Sequence, residues 1–300
     1  MNHCSQLNSL NSESWFVLCL EPPPDRCLNL RPGHKEERSG MAEEMVRYER
    51  RGSVAVITID RPQTLNALDM TTLAALDGHV AEAEADAEVR VIVLTGAGRA
   101  FVAGGDIADL NSRRGLPHYQ ELAERLHSVF RRIELCDKPT IAAVNGWALG
   151  GGTELLLCTD IRIAAASARL GLPEITLGMF PGAGGTQRLI RQIPLCKAKE
   201  MMFVGGRIEA AEAERLGLIN RVVPDERLME EVMALADAIA QKSPLTLKLL
   251  KRTLNDGTDM PLASALRHEQ AMISLVLDSA DAHEGCTAFL EKRHARFAGA

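Results

Sequence analysis

The sequence predicts an α/β fold with a helical C-terminal region, and three observations lead to that prediction. Short β-branched runs alternate with helical segments up to about residue 225. This order is typical of a parallel sheet with helical crossovers. Beyond Asp225 the apolar residues recur at helical spacing throughout. The 300 residues, 46% of them hydrophobic, suffice for one large domain or two modest ones.

The individual elements follow from these patterns. The predicted strands share β-branched or apolar runs and are Val54–Ile59, Val91–Leu94, TIAAVNG at 140–146 and IRIAAA at 161–166. Helices are predicted over Thr71–Ala87 and over the amphipathic segment Tyr119–Leu135. The last helical segments are ERLMEEVMALADAIAQ (226–241), PLTLKLLKRTL (244–254) and PLASALRHEQAMISLVL (261–277).

Residues 1–40 differ from the rest of the chain. They are polar and proline-rich and show no sustained period, which predicts disorder. Met41 then opens MAEEMVRYERRGSVAVITIDRP, which resembles a natural start. Our hypothesis is that Met41 is the physiological initiator. N-terminal sequencing of protein expressed from its own promoter tests it, and a peptide containing Trp15 would refute it.

Charge and cysteine content narrow the class of protein. The net charge of −6 argues against nucleic acid as the main ligand, because phosphate binding needs an excess of Lys and Arg. The seven cysteines include no CxxC pair and no Cys/His cluster at metal spacing, so we expect a reduced, cytoplasmic setting and no metal. The charge-free run Pro139–Thr153 has 15 residues, short of the ~20 that a membrane span requires.

Three consecutive glycines, Gly150–Gly152, stand at the entry to a predicted helix in NGWALGGGTELLLCTD (145–160). One interpretation is a tight strand-to-helix turn whose glycines, Gly151 included, permit a positive φ and close packing. A phosphate-binding loop is disfavoured because neither GK[ST] nor GxGxxG is present. The functional interpretation is that backbone amides at a helix N-terminus stabilise developing negative charge.

A second glycine pair offers a partner for these amides. FVAGGDI (101–107) follows the strand VIVLTG, so Gly104–Gly105 lies beyond the carboxyl end of a strand, where open α/β sheets place their ligands. Two such loops can form a two-amide oxyanion hole. A carboxylate placed like Asp106 is more commonly a helix N-cap than a catalytic group.

Two isolated carboxylates occupy apolar surroundings, Glu154 in the glycine segment and Glu174 in GLPEITLG. Each taken alone is most simply a solvated position or a buried salt-bridge partner. Both follow turns marked by glycine or proline, however, and a pair facing one cleft suits general acid–base catalysis. Glycoside hydrolysis also uses two carboxylates, but two Trp and two Tyr provide few platforms for sugars.

Several motifs together resemble the enoyl-CoA hydratase (crotonase) family from about Val46 to Phe297. They are IDRPQTLNALD, AFVAGGDI, KPTIAAVNGWALGGGTELLLCTD, GLPEITLGMFPGAGGTQRL and FLEKRHARF. The resemblance implies a spiral of repeated ββα units over 41–245. It also implies a C-terminal α-helical region, 246–300, that mediates trimerisation and covers the active site. A homo-oligomer, trimer or dimer of trimers, is therefore expected.

The resemblance also implies the chemistry. The substrate is an acyl thioester of coenzyme A, whose oxygen is held by the amides that match Gly105 and Gly151. Hydratases carry two catalytic glutamates, which match Glu154, assigned as the base on water, and Glu174, assigned as the acid. We therefore expect hydration of a 2-trans-enoyl-CoA to a 3-hydroxyacyl-CoA, as in fatty-acid degradation, with no cofactor beyond the coenzyme A of the substrate.

Contacts to the coenzyme A portion are also carried over from the family. Its substrate-binding positions match Leu65, Ala67, Ala103, Gly105, Asp106, Ile107 and, from a neighbouring subunit, Lys292. Gln63 and Ala108 depart from the mammalian short-chain pattern, which has Lys at both positions, and this removes two of the family's phosphate or nucleotide contacts. The segment PGAGGTQRL (181–189) is interpreted as a structural turn into a helix. We expect Gly152→Ala to cost less activity than Gly151→Pro.

Other functions remain open. A Δ3,Δ2-enoyl-CoA isomerase of the same family commonly keeps one working carboxylate, so the presence of both Glu154 and Glu174 disfavours it. Dehydration of a 3-hydroxyacyl-CoA is the same catalysis in reverse. RNA binding, known for some family members, is disfavoured by the net charge of −6. The acyl group is not specified by the sequence.

Overall fold

The chain repeats a pattern in which a longer strand is followed at once by a short one, and the longer and the short strands of these pairs belong to two separate sheets. The computed structural model describes residues 45–112 and 114–300. The predicted extension 1–40 and the proposed start at Met41 lie outside these residues. The described residues belong to one compact unit.

The strands and helices are numbered in chain order. The strands are β1 Val46–Arg51, β2 Val54–Ile59, β3 Val91–Gly96, β4 Ala100–Val102, β5 Thr140–Val144, β6 Trp147–Leu149, β7 Ile161–Ala165, β8 Arg169–Gly171, β9 Arg207–Glu209 and β10 Arg221–Val223. The helices are α1 Met70–Ala85, α2 Ile107–Ser112, α3 Leu116–Leu135, α4 Gly151–Leu156, α5 Gly185–Gln192, α6 Leu195–Val204, α7 Ala210–Arg215, α8 Leu228–Ala240, α9 Pro244–Gly257, α10 Leu262–Leu277 and α11 Ala280–Leu290.

Two sheets result from these strands. The larger sheet has the order β1-β2-β3-β5-β7-β10, parallel except for the β1–β2 hairpin. The smaller sheet has the order β4-β6-β8-β9, parallel except for the β8–β9 pair. Because β3, β5 and β7 are neighbours in one sheet and β4, β6 and β8 in the other, the chain advances as a spiral.

Each turn of this spiral is a ββα unit. Helix α2 follows β3 and β4, α4 follows β5 and β6, and a short 3-10 helix, Pro173–Leu177, follows β7 and β8. The predicted α/β spiral with a helical C-terminal region is therefore confirmed. The carboxyl ends of β4, β6 and β8 lie side by side, so the segments that follow them can share one site.

The two faces of the larger sheet belong to separate apolar cores. Ala55 and Ile57 of β2 pack with residues of α1 and α3, whereas Val54 and Val56 pack with residues of α8. This alternation follows the pleat of the strand. Because both faces are covered, β2 reads as VAVITI, a nearly continuous apolar run interrupted only by Thr58, rather than as an alternating pattern.

Several elements were not predicted from the sequence. β1 reads VRYERR and is an edge strand, where charged side chains are tolerated on the solvent side. β4, β6, β8, β9 and β10 have three residues each, too few to show a period. α11 was also missed, although Ser279 caps it through a hydrogen bond from Ala282 N at 3.1 Å.

The C-terminal helices pack unevenly against the rest of the chain. α9 is fixed by the buried Lys251, whose Nζ lies 2.8 Å from Asp160 Oδ2. α10, by contrast, has no buried residue in the described chain, and its Leu262 and Leu277 are exposed. The expected division at residue 245/246 falls in the first turn of α9. None of the helices over 45–112 and 114–300 has the length and apolar character needed to cross a membrane.

Candidate active site

The glycine run connects β6 to α4 and buries Glu154 one turn later. Gly150 has φ +50° and donates its N–H to Gly171 O at 2.9 Å, which closes the turn between β6 and β8. Thr153 Oγ1 donates to Ala148 O (2.6 Å) or Gly171 O (2.8 Å), so α4 is held against both strands. Glu154 consequently lies in the first turn of α4 and is only 3% exposed.

One expectation about these glycines needs correction. Gly151 does not have a positive φ; the positive values in this region belong to Gly150 and, in the other loop, to Gly104. A Cβ on Gly152 would overlap the carbonyl oxygen of Val102 in β4, because α4 packs directly on the backbone of that strand. Gly152→Ala therefore carries a packing cost from a backbone contact that the sequence cannot reveal, and its activity relative to Gly151→Pro stays a prediction.

The carboxylate of Glu154 is held by backbone amides from the segment before α5. Its Oε1 accepts hydrogen bonds from Ala183 N and Gly185 N, both at 2.8 Å. Burial raises the pKa of Glu154, while these two hydrogen bonds and the charge of Arg188 act in the opposite direction. The segment PGAGG, interpreted above as only a structural turn, is thus part of the site, and its proline and glycines before a helix were the available signal.

Glu174 stands beside the same glycine turn in the 3-10 helix Pro173–Leu177. Its Oε1 lies 3.0 Å from the position that a Cβ on Gly150 would occupy. Its Oε2 is buried and, among the described residues, has no hydrogen-bond partner. Burial raises the pKa of Glu174 to about 7, and the negative charge of Glu154 acts in the same direction. A carboxyl group with this pKa exchanges a proton near neutral pH.

Two backbone N–H groups from different loops meet next to these carboxylates. Leu68 forms a parallel bridge with Gly105, in which Leu68 N bonds to Gly104 O and Asp106 N to Leu68 O, both at 2.8 Å. A Cβ on Gly151 would lie 3.6 Å from Gly105 N, so the two glycines are in contact. Within 45–112 and 114–300, no acceptor lies on the N–H of Gly105 or Gly151.

The two N–H donors and the two glutamates together can stabilise a negative charge and transfer protons. Two adjacent unpaired N–H donors can hold an oxygen that gains negative charge. Of the two carboxyl groups beside them, Glu154 accepts two backbone hydrogen bonds on Oε1, and Glu174 has a pKa raised to about 7. Two carboxyl groups in such unlike environments suit an acid–base pair. In the described part of the chain, no group of three or more His, Cys, Asp or Glu residues is placed to hold a metal.

Comparison with known proteins gives the family. The family model described as enoyl-CoA hydratase/isomerase matches residues 49–300. The short-chain-enoyl-CoA hydratase of Clostridium acetobutylicum is 43% identical over an alignment covering 82% of this chain and 94% of that protein. The crotonyl-CoA hydratase of Syntrophomonas wolfei is 42% identical, over 86% and 99%.

This chain belongs to the enoyl-CoA hydratase/isomerase family. Its fold agrees with a solved member, the enoyl-CoA hydratase from Bacillus anthracis. The TM-score is 0.82 at 37% identity, and the match covers 85% of this chain and 100% of the other.

Three of the substrate-binding positions expected for this family lie together. Ala103 N donates to Leu65 O at 3.0 Å, where Leu65 adopts φ +54° after a 3-10 helix. Ala67 O accepts from Arg61 Nη1 at 2.6 Å. The loop around 65–67 therefore runs beside the end of β4, close to the Gly105 amide.

The remaining expected substrate-binding residues are Asp106, Ile107 and Lys292, and their surroundings differ. Asp106 Oδ1 accepts from Ala108 N (3.0 Å) and Asp109 N (3.2 Å), so the expected N-cap role is confirmed. Ile107 is 50% exposed at the start of α2. Lys292 follows α11, and within the described chain it has no hydrogen bond or ion pair to the glycines or glutamates of the site.

Proposed function

We propose that this chain adds water to a 2-trans-enoyl-CoA to give a 3-hydroxyacyl-CoA, reversibly, at the site between α4 and the Pro173–Leu177 helix. One observation carries the assignment: two carboxyl groups of unlike environment flank two adjacent, unpaired N–H donors. Relatives named short-chain-enoyl-CoA hydratase and crotonyl-CoA hydratase support the same reaction.

The N–H groups of Gly105 and Gly151 bind the thioester oxygen. They polarise the conjugated carbonyl, so that the β-carbon becomes electrophilic, and they stabilise the enolate oxygen that forms when water adds. One such donor is worth about 2.7–4 kcal/mol of barrier. Both donors are backbone N–H groups, one from each of two separate loops, so no side chain is needed to hold the oxygen.

The two glutamates transfer the protons. Glu154 in its ionised form takes a proton from the water as its oxygen bonds to the β-carbon, and the hydrogen bonds from Ala183 and Gly185 favour that form. Glu174, protonated near neutral pH because its pKa is about 7, delivers a proton to the α-carbon of the enolate. Because both groups contact one water, their apparent pKa values belong to the pair. Neither step uses a metal or redox cofactor.

Assembly and setting form a further part of the proposal. The exposed apolar residues of α10, together with Phe289 and Leu290 of α11, are 47–82% exposed and support a homo-oligomer, trimer or dimer of trimers. In that assembly Lys292 is proposed to reach the coenzyme A of a neighbouring subunit. The cysteines of the described residues, Cys136, Cys158, Cys196 and Cys286, are free, which supports a reduced, cytoplasmic setting.

The test is hydration of a panel of trans-2-enoyl-CoA thioesters, beginning with crotonyl-CoA, followed by loss of the conjugated enoyl absorbance. A 3-enoyl-CoA is tested in parallel, because an isomerase would convert it and leave the hydration slow. Faster hydration than isomerisation supports the proposal, and the thioester that is hydrated fastest identifies the preferred acyl chain. A folded, assembled protein that hydrates none of these thioesters refutes it.

A further inference from the structure

Arg188 ties the segment that holds Glu154 to helix α3. The guanidinium lies on α5, with its side chain 15% exposed. Its Nε and Nη2 donate to the two carboxylate oxygens of Glu134, both at 2.8 Å, in a bidentate pair with the end of α3. Its Nη1 donates to Ala183 O at 3.1 Å.

The same residue, Ala183, is therefore bound on both sides. Its carbonyl accepts from Arg188, and its N–H donates to Glu154 Oε1 at 2.8 Å. Gly184, with φ +104°, allows the approach, because a Cβ there would overlap the guanidinium. The orientation of the peptide groups that reach Glu154 thus depends on where Arg188 is held.

We propose that Arg188 is a positioning residue that keeps the amides of Ala183 and Gly185 on Glu154 and supplies a positive charge to the surroundings of that carboxylate. This inference rests on the proposed role of Glu154 as the base. Arg188 acts through other groups, so substrate affinity is not expected to depend on it.

The charged and titratable groups around Glu154 determine the sign of the effect. Arg188 on α5 is the cation that favours the ionised form, and Glu174 is the carboxyl group facing it from the 3-10 helix. Glu134 on α3 partly neutralises Arg188. Cys158, two residues after the end of α4, donates to Glu154 O at 3.1 Å, and burial raises the pKa of its thiol to about 12, so it stays neutral.

Two variants that change the charge in opposite directions distinguish this inference from a purely structural role of Arg188. Arg188→Gln removes a positive charge, so the low-pH limb of kcat/KM, where Glu154 gains a proton, should move up by about one pH unit. Glu134→Gln breaks the same bidentate pair but leaves Arg188 uncompensated, so that limb should move down. A structural clamp would give both variants the same direction or no shift at all.

The measurement is the pH profile of crotonyl-CoA hydration for folded, assembled variants. Arg188→Lys keeps the charge but loses the bidentate pair, so its limb should lie between those of the wild type and Arg188→Gln. The matched control is Arg132→Gln. It removes an arginine on α3 that is paired to Asp77 and Glu84, and it should leave the pH profile unchanged. If Arg188→Gln does not assemble, the downward shift in Glu134→Gln still decides the question.

A second readout separates this inference from the proposed function. The infrared band of protonated Glu154, assigned by its loss in Glu154→Gln, is titrated in the resting protein without substrate. An upward shift in Arg188→Gln supports the inference even if crotonyl-CoA is not the substrate. An active wild type whose Arg188→Gln variant keeps the wild-type profile and titration overturns the inference and leaves the hydratase assignment standing.

Discussion

Replacement of Gly151 by proline removes one proposed oxyanion donor with little other change to the chain. Gly151 is the first residue of α4 and does not have a positive φ. Proline is well tolerated at the first helical position, where its missing N–H has no intrahelical acceptor. The loss of one donor should raise the barrier by about 2.7–4 kcal/mol, which lowers kcat roughly 10²–10³-fold.

Gly151→Ala is the matched control. The nearest neighbours of a Cβ at this position would be Gly105 N at 3.6 Å, Gly104 C at 3.7 Å and Leu68 Cδ1 at 3.7 Å, all ordinary van der Waals contacts. The alanine variant should therefore fold normally and retain its N–H. Its loss of activity should stay within about tenfold, since only substrate crowding is added.

Both variants are compared by kcat and KM for crotonyl-CoA hydration, after circular dichroism and sedimentation have shown that they fold and assemble. The expected result is a kcat for Gly151→Pro at least about tenfold below that of Gly151→Ala. If the folded proline variant hydrates as fast as the alanine variant, the N–H of Gly151 does not stabilise the transition state, and the oxyanion hole lies elsewhere.

Four further results are expected. Glu154→Gln and Glu174→Gln should each lower kcat at least ~10²-fold with KM nearly unchanged, and the double variant should lose much less than the product; wild-type hydration in either single variant contradicts the site. Because burial raises the pKa of Glu174 from 4.5 to about 7, its ionisation opposes folding increasingly as pH rises through that interval. Thermal unfolding should therefore show Glu174→Gln gaining stability relative to wild type between pH 5 and 8, as estimated from that pKa shift, and a constant difference would show that the pKa is not raised. Gly152→Ala should destabilise the fold by about 1–3 kcal/mol in urea unfolding, because its Cβ meets the backbone of β4; unchanged stability would disprove that contact. Lys292→Ala should raise KM more than it lowers kcat at low salt, and an unchanged KM removes Lys292 from the site.

The elements with a long apolar period could be predicted from the sequence. β2, β3, α1 and α3 were located to within a few residues, because burial of one or both faces leaves a pattern over six residues or more. Local signals also indicated candidate site residues. The pair Gly104–Gly105 and the run Gly150–Gly152 follow strands, Glu154 and Glu174 are isolated carboxylates among apolar neighbours, and the family resemblance singled out Gly105 and Gly151.

Only the tertiary structure shows how these groups act together. The hydrogen bonds from Ala183 and Gly185 to Glu154 join residues 29 and 31 positions apart, and the link from Arg188 to Glu134 spans 54 positions. The overlap that forbids a side chain on Gly152 is with a strand 50 positions earlier. Contacts of this kind leave no pattern in the sequence, because every residue type except proline supplies the same backbone N–H donor. Residue types therefore indicated which chemistry was available, while the packing of α4 on β4 and the N-terminus of α5 decided which carboxylate accepts two backbone hydrogen bonds.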